Sequence, residues 1–371
     1  MRVVVTGMGL VSALGRDAAK TWHQVLQGHS AIALRQPFPA LEPRPLAMVG
    51  KQPSALDDLL LTAATEALRD AHLSLPLPEC GVVIGSSRGH QAQWEKFLTA
   101  GAVTHWMDSL PHMGAIAVAR HLQSRGPVMA PMAACATGLW AIAQGADLIR
   151  TGHCQRVLAG AGEAAITPLT LTGFEQMRAL APTGCYPFDL HREGLVLGEG
   201  AAVLLLESEA AAKARSARIY GQVLGAGLTA DAHHISAPDM AHAQGGLAAL
   251  QGCLHRSGLT PANIDLIHSH GTGTALNDAY EAALIQAKLP DGVWVTGTKG
   301  ATGHTLGASG AIAAALTLRA LHDQVLPPCT GLQTPAFDLN LVRQATPAPL
   351  STALCFSFGF GGQNAIVALG R

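Results

Sequence analysis

The chain has 371 residues, and its 24 lysines and arginines against 25 aspartates and glutamates give a net charge of −1. This near-neutrality gives no electrostatic reason to expect nucleic acid or an anionic membrane as a partner. The length exceeds that of one simple core and indicates two packed halves or domains. A hydrophobic share of 49% with only 13% charged residues indicates a large interior and a large buried subunit interface.

The sequence carries no targeting or membrane signal. No apolar run reaches the roughly 18 residues that a membrane-spanning helix needs. Residues 1–7 are interrupted by Gly7 too early for a secretory signal. The seven cysteines are scattered without a CxxC pair, so neither a disulfide framework nor a zinc site is predicted. These features predict a cytoplasmic enzyme without a bound metal.

Strand and helix patterns alternate along the chain. Short aliphatic runs that end near glycine predict strands buried on both faces, at 3–5, 81–84, 156–159, 201–206, 219–224, 264–267, 293–296 and 353–356. Alanine-rich segments between them predict helices at 56–71, 113–122, 138–150, 243–257, 278–286 and 309–321. The alternation is typical of the α/β class. The two ends of the chain are loosely alike, which places a crossover near 208–216.

Cys135 stands in a run of small residues just before a predicted helix. A helix N-terminus supplies free N–H groups and a partial positive charge, which stabilise a thiolate and any oxyanion beside it. Most cysteines are buried structural thiols. Here, however, Ala134, Ala136 and Gly138 leave room for a substrate to approach. The setting therefore favours a nucleophilic cysteine.

His270 lies in a turn with two glycines and two threonines, directly after a predicted strand. A single histidine is usually structural or exposed. The setting of this one is different, because the hydroxyl groups of Thr272 and Thr274 could hold the amide groups of an extended ligand. The turn is therefore a candidate catalytic and substrate-binding segment.

A second histidine, His304, follows Lys299 in another glycine-rich turn. The segment lacks the GxxxxGK[ST] spacing of a phosphate-binding loop, so that function is rejected. Asp278 and Glu281 are three residues apart on the preceding helix and share one face. They form either a solvated helix face or carboxylates that orient Lys299 or a catalytic histidine.

The C-terminal segment 356–364 combines phenylalanines with several glycines. Such a turn could supply a backbone N–H to an oxyanion and a bulky gate at Phe360. It could equally form a tight crossing of buried strands. A cysteine and two histidines in glycine-rich turns together indicate covalent acyl chemistry.

Jointly, these motifs resemble those of β-ketoacyl-[acyl-carrier-protein] synthases of the elongating type, which are related to polyketide ketosynthases. The resembling segments span nearly the whole chain, at 3–12, 134–138, 193–201, 270–274, 299–306 and 356–364. The resemblance implies a thiolase-like, five-layered αβαβα fold of two similar halves. The first half, 1–210, would carry the nucleophile and the second, 211–371, the histidines. A homodimer is also implied.

The resemblance further implies a decarboxylating Claisen condensation without a metal or redox cofactor. Cys135 would accept an acyl group from a carrier-protein or coenzyme A thioester. His270 and His304 would promote decarboxylation of malonyl-carrier protein and stabilise the enolate, which attacks the acyl group to give 3-oxoacyl-carrier protein. Lys299 and Glu281, together with Asp278, would organise the histidines. Fatty-acid and polyketide-type biosynthesis both use this reaction.

The remaining implied roles concern the substrate. The N–H groups of Cys135 and Phe360 would form the oxyanion hole, and Phe360 would gate acyl entry. Thr272 and Thr274 would bind the pantetheine arm.

The chain departs from the family pattern in two places. Segment 32–58 is abbreviated and lacks the basic run that helps dock the acidic carrier protein, which leaves Arg178 as one basic contact. Residues 85–90 read GSSRGH where the family carries Gly-Ile-Gly-Gly. Arg88 would either shorten the acyl pocket and favour a polar acyl end, or turn outward. Both departures favour a specialised synthase.

Two alternatives stay open at this point. A thiolase-type acyltransferase would condense without decarboxylation, but it would use a second catalytic cysteine with one histidine rather than two histidines. A non-catalytic, chain-length-determining partner of a heterodimeric ketosynthase typically lacks the active cysteine, so Cys135 disfavours it. The abbreviated front segment and Arg88 keep this second alternative open.

Overall fold

The computed structural model describes residues 1–100, 103, 105–240 and 244–371. The strands are β1 (Val3–Val11), β2 (Ala33–Arg35), β3 (Arg44–Leu46), β4 (Cys80–Gly85), β5 (Val128–Met129), β6 (Arg156–Glu163), β7 (Gly200–Ser208), β8 (Gly221–Ala230), β9 (Leu266–His268), β10 (Trp294–Thr296), β11 (Val325–Leu326), β12 (Asn340–Leu341), β13 (Thr346–Pro347), β14 (Thr352–Gly359) and β15 (Gln363–Gly370).

The helices are α1 (Ala18–Leu26), α2 (Leu56–Asp70), α3 (Gln91–Ala100), α4 (Met113–Leu122), α5 (Thr137–Arg150), α6 (Pro168–Gln176), α7 (Glu209–Ala214), α8 (Gln244–Ser257), α9 (Ala275–Lys288), α10 (Lys299–Thr302) and α11 (Ser309–Asp323). Short 3-10 turns connect several of these elements, including one at Phe360–Gly362 between β14 and β15.

One mixed sheet runs through the protein in the order β12-β10-β9-β14-β15-β8-β1-β7-β6-β4-β5. The same pattern occurs twice in it. Strands β5, β4 and β6 are parallel, and β7 and β1 follow antiparallel. Strands β10, β9 and β14 are likewise parallel, and β15 and β8 follow antiparallel. Antiparallel pairing of β1 with β8 joins the two patterns.

Helices cover these strands in three layers. The apolar faces of α2 and α4 pack on the outside of the first pattern, in a core that includes Leu60 and Val118. Leu250 of α8 and Leu284 of α9 belong to the core outside the second pattern. The helices α5 and α11 lie between the two patterns, and their apolar residues belong to the central core together with residues of the strands. The α/β class and the thiolase-like αβαβα layering predicted from the sequence are confirmed.

The two central helices contact each other through glycine. A Cβ atom at Gly138 would lie 2.4 Å from the backbone nitrogen of Ala311 on α11. Only glycine permits this approach, which explains its presence inside α5 despite its poor helix propensity. The contact brings the N-terminus of α5, and with it Cys135, against the second half of the chain.

Several predicted boundaries were wrong, each for a local reason. The strand predicted at 3–5 continues to Val11, because glycines at buried positions do not end it. The segment 356–364 is not a flexible turn throughout, since β14 continues to Gly359 and β15 begins at Gln363. The helix predicted at 243–257 begins at Gln244, while Ala243 lies outside the described residues. The helices α1, α3, α6, α7 and α10 were missed.

All seven cysteines are free and buried. Within the described residues, no helix is both long and apolar enough to cross a membrane. The division of the chain between residues 210 and 211 stays a prediction.

Candidate active site

Cys135 lies in a tight turn immediately before α5, which begins at Thr137. Ala134 adopts a left-handed backbone conformation with φ of 46°. The hydroxyl of Thr137 donates to the carbonyl of Ala134 at 2.7 Å and accepts the N–H of Ala133 at 2.9 Å. Ser357 of β14 donates to the carbonyl of Cys135 at 2.9 Å. These bonds hold the nucleophile candidate at the N-terminus of the central helix.

The structure brings His270 and His304 to Cys135. The two imidazole rings are perpendicular, at 83°, with centroids 5.3 Å apart. The Cys135 sulfur and one nitrogen of each ring all lie within 4.8 Å of one another. All three side chains line one cavity of about 390 Å³. The three residues that the sequence analysis singled out first therefore share one site.

Hydrogen bonds define the tautomer of His304. Its Nδ1 accepts the backbone N–H of Leu306 at 3.2 Å and lies 2.9 Å from the hydroxyl of Ser309. Because Nδ1 accepts a hydrogen bond from an N–H group, the proton of the neutral ring is on Nε2. The Nε2–H group is then the one left to face Cys135.

His270 is oriented in the same way by Lys299. The Lys299 Nζ donates to the carbonyl of His270 and lies 3.4 Å from its Nδ1. A charged ammonium can only donate, so Nδ1 accepts and Nε2 carries the proton. Burial and the charge of Lys299 lower the pKa of both His270 and His304 well below the ordinary value. Both rings are therefore neutral N–H donors at pH 7.

The carboxylates of α9 hold the His270 turn from the other side. Glu281 accepts the N–H of His270 at 2.5 Å and that of Gly271 at 2.6 Å. Asp278 accepts the N–H of Thr272 at 3.1 Å. Both carboxylates are fully buried, so the alternative of a solvated helix face is wrong. Glu281 acts on the backbone of His270, whereas Lys299 contacts its ring and carbonyl.

Thr272 and Thr274 line the same cavity, with their hydroxyl oxygens 2.8 Å apart. Arg178 lines it as well. Asn277, which the sequence analysis missed, also lines the cavity and donates to Glu281 at 2.9 Å. The one sequence feature that could have indicated Asn277 was its position directly before Asp278.

The Phe360 loop lies directly against Cys135. Phe360 packs against the apolar cluster that contains Cys135, and its backbone N–H lowers the pKa of the Cys135 thiol. A Cβ atom at Gly359 would lie 3.0 Å from the backbone nitrogen of Cys135, so a side chain there would push the loop away. The Phe360 ring stacks on Phe174 of α6, with centroids 5.9 Å apart and the planes at 25°. The arrangement fits both an oxyanion hole and a gate.

Arg88 is half-buried and turns toward this stack. Its guanidinium carbon lies 5.8 Å from the centroid of the Phe174 ring. The positive charge of Arg88 also lowers the pKa of Cys135. Among the described residues, however, Arg88 does not line the Cys135 cavity itself but lies behind Phe174, which does.

Glu163 is a positioning residue that the sequence analysis missed. It is fully buried at the end of β6 and accepts the hydroxyl of Ser86 at 2.6 Å and the N–H groups of Ser87 and Arg88. It also accepts the N–H of Gly307 at 3.0 Å. Glu163 thus ties the Arg88 loop to the turn that follows His304. The sequence feature that could have indicated Glu163 is a single acidic residue after an apolar run that predicts a strand.

The Cys135 thiol is protonated in the free protein. Burial raises its pKa to about 11, although the charges of Lys299 and Arg88 and the N–H of Phe360 act in the opposite direction. The expectation of a stabilised thiolate at the helix N-terminus was therefore wrong. It neglected the apolar surroundings of the sulfur, which include Phe174 and Leu306.

A pH-dependent labelling experiment tests this protonation state. We expect iodoacetamide to alkylate Cys135 slowly at pH 7, with a rate constant that rises about tenfold per pH unit up to at least pH 9, because only the thiolate reacts. Peptide mass spectrometry gives the rate at each pH. Cys329, which is buried and does not line the cavity, serves as the unreactive control. A Cys135 rate that levels off below pH 8 would contradict the raised pKa.

The same three side chains are close enough for a metal ion to bridge after small rotations. A metal ligand must direct a nitrogen lone pair at the ion. Here the lone pairs on Nδ1 face Leu306 and Lys299, which leaves the Nε2–H groups for the cavity that both rings share with Cys135. The arrangement therefore favours two converging N–H donors over metal ligation.

Comparison with known proteins agrees with this fold. The family model for the beta-ketoacyl synthase N-terminal domain matches residues 50–212, and the model for the C-terminal domain matches residues 220–333. The 3-oxoacyl-[acyl-carrier-protein] synthase 2 of Vibrio harveyi is 33% identical, over 98% of this chain and 97% of that protein.

Two solved structures are also similar over the whole chain. One is a type II PKS ketosynthase in complex with its acyl-carrier protein and bound to a hexaketide, with a TM-score of 0.94 and 27% identity over 100% of this chain and 99% of that chain. The other is the ishigamide ketosynthase/chain length factor, with a TM-score of 0.91 and 28% identity over 100% and 99%.

The fold and these similarities define an acyltransferase of the thiolase-like class. The chain belongs to the beta-ketoacyl synthase family. The family predicted from the sequence is thereby confirmed.

Proposed function

We propose that this protein condenses a Cys135-bound acyl group with malonyl-carrier protein, releasing CO₂ and 3-oxoacyl-carrier protein. The observation that carries the proposal is the convergence of one thiol and two neutral Nε2–H donors in a single cavity. Family membership and the similarity to 3-oxoacyl-carrier protein synthases support the same reaction.

The first step transfers the acyl group. The Cys135 sulfur attacks the carbonyl carbon of the acyl thioester, and the N–H groups of Cys135 and Phe360 stabilise the oxyanion. The carrier thiolate then leaves and takes up the proton that the Cys135 thiol has lost. The helix N-terminus and Lys299 favour the transient negative charge on sulfur.

The second step forms the carbon–carbon bond. The malonyl thioester loses CO₂, and its carbonyl oxygen becomes an enolate that accepts hydrogen bonds from the Nε2–H groups of His270 and His304. The carbanion attacks the thioester on Cys135 and expels the sulfur, which takes a proton from solvent. Neutral histidines suffice because decarboxylation, rather than proton abstraction, generates the carbanion.

The cavity supplies the substrate contacts in this proposal. Thr272 and Thr274 would hydrogen-bond the amides of the pantetheine arm, with Arg178 and Asn277 nearby on the cavity wall. Phe360 would move away from Phe174 to admit the acyl chain. Lys299, Glu281 and the rest of the turn network would keep His270 in place.

We also propose that the acyl donor is a carrier protein and that the protein acts with a second subunit. A similar ketosynthase was solved with its acyl-carrier protein, and another with a chain length factor. Exposed apolar residues occur on the edge strand β5 and before it, at Leu98, Trp106, Met107, Val128 and Met129. Exposed apolar surface of this kind marks a subunit interface. A homodimer and a heterodimer with a chain length factor both fit this surface.

The proposed mechanism places the nucleophile and the histidines on separate halves of the chain. We propose 1–210 and 211–371 as those halves. The repeated strand pattern and the junction of the two family-model matches support this division.

Intact-mass measurement tests the function directly. We expect the purified protein to gain the mass of an acyl group on Cys135 when it is incubated with a suitable acyl-carrier protein. Addition of malonyl-carrier protein should then remove the adduct and yield 3-oxoacyl-carrier protein. An adduct that malonyl-carrier protein leaves in place would argue for an acyltransferase that does not condense. No adduct with any donor would favour a chain-length-determining partner.

A further inference from the structure

We infer that Arg88 selects acyl groups that carry an oxygen acceptor, a carbonyl or a carboxylate, along their chain. The inference rests on the proposed function, because it concerns the acyl group that Cys135 would hold. It deepens that proposal by naming a substrate class.

A continuous set of contacts links Arg88 to the nucleophile. The guanidinium lies over the Phe174 ring, with its carbon 5.8 Å from the ring centroid. Phe174 stacks on Phe360, and Phe360 packs against the apolar cluster that contains both Phe174 and Cys135. Phe360, the gate proposed for acyl entry, therefore stacks on the same Phe174 ring that the Arg88 guanidinium contacts.

The backbone of Arg88 is fixed, but its guanidinium has no acidic partner among the residues that the structure describes. Glu163 is the nearby buried carboxylate, and it accepts the backbone N–H of Arg88 at 3.1 Å. The Glu163 oxygens are already bonded to Ser86, Ser87 and Gly307. The guanidinium therefore has N–H groups that form no hydrogen bond with any described residue and can donate to a ligand.

The surroundings of Cys135 would otherwise suit a simple alkyl chain. Ile166, Leu171 and Phe174 belong to the same apolar cluster as Cys135. An alkyl chain that reached Arg88 would remove water from a cation and return no hydrogen bond, which is costly. An oxygen acceptor at that point would form a charge-assisted hydrogen bond instead. The cation thus makes the site discriminate between acyl chains of similar length.

The test compares acyl transfer to Cys135 from three carrier-protein thioesters of the same length, namely hexanoyl, 5-oxohexanoyl and adipyl. A matching eight-carbon set checks for dependence on length. We expect the wild-type protein to prefer an oxygenated donor by about 10- to 100-fold in kcat/KM, the range of one hydrogen bond to a charged group. Preference for adipyl alone identifies a carboxylate, and preference for both identifies any oxygen acceptor.

Arg88→Leu should abolish or reverse this preference, and Arg88→Gln serves if the leucine variant does not fold. Arg178→Leu is the matched control, because Arg178 lines the cavity and is predicted to contact the carrier protein, which all donors share, so its loss should affect all donors equally. Equal or better transfer of hexanoyl by the wild type, with the same ratio in Arg88→Leu, overturns the inference and leaves the proposed function intact. Absence of any adduct from all donors overturns both.

Discussion

Replacing Cys135 with alanine should abolish acyl transfer and condensation while malonyl decarboxylation remains measurable. The alanine variant has no nucleophile for the acyl group, so we expect condensation to fall by at least about 10⁴-fold. The Nε2–H donors of His270 and His304 do not depend on the sulfur, because Leu306 and Lys299 orient them. Intact mass reports the missing adduct, and CO₂ release from malonyl-carrier protein reports the remaining step.

Cys329→Ala is the matched control for this variant. Cys329 is also free and buried, but it lies in the core outside the second strand pattern and does not line the cavity. Its replacement removes a methylene-sized volume and should lower stability modestly without blocking adduct formation. Condensation by Cys135→Ala at more than a hundredth of the wild-type rate would remove Cys135 from the proposed mechanism.

The general architecture could be predicted from sequence because buried parallel strands and alanine-rich helices leave clear patterns. The helix predicted at 113–122 has the observed bounds of α4. Strand β15 was missed because its start, Gln363, follows a glycine-rich segment that is typical of a loop. It is a strand because it pairs on one side with β14, directly before it, and on the other with β8, a segment more than 130 residues away. Such long-range pairing is absent from local sequence patterns.

The candidate site likewise contains residues that could be predicted from the sequence and residues that could not. The residues that carry chemistry, Cys135, His270 and His304, could be found from their unusual glycine-rich settings. The residues that position them were harder to find, because a buried carboxylate such as Glu163 is identified by the N–H groups that surround it. Those N–H donors come from residues 75 or more positions away in the chain, at Ser87, Arg88 and Gly307.

The protonation of Cys135 shows the limit of local reasoning. A helix N-terminus favours the thiolate, and the sequence displays that feature. Burial has the opposite effect, and it depends on Phe174, Leu195 and Leu306, which come from distant segments. The raised pKa follows from this burial and could be obtained only from the folded chain.

Replacing His304 with alanine should leave acyl transfer to Cys135 intact and slow the decarboxylation step, the reverse of the effect expected for Cys135→Ala. Cys135 keeps its oxyanion donors, its own N–H and that of Phe360, so the acyl adduct should still form. Decarboxylation loses one of two N–H donors to the enolate, and removal of one such donor costs about 10²- to 10³-fold. The acylated variant should therefore persist after addition of malonyl-carrier protein, which intact-mass measurement over time would show.

Two further variants distinguish this role from a structural one. His304→Gln places an amide N–H near the position of Nε2 and should recover part of the lost rate. His268→Gln removes another buried histidine, which contacts Thr317 and Thr298 and does not line the cavity. It should leave condensation much closer to that of the wild type, provided that the thermal unfolding of both variants is similar. If His304→Ala discharged the acyl group as fast as the wild type, the enolate would need a different donor, and the perpendicular histidine pair would lose its proposed role.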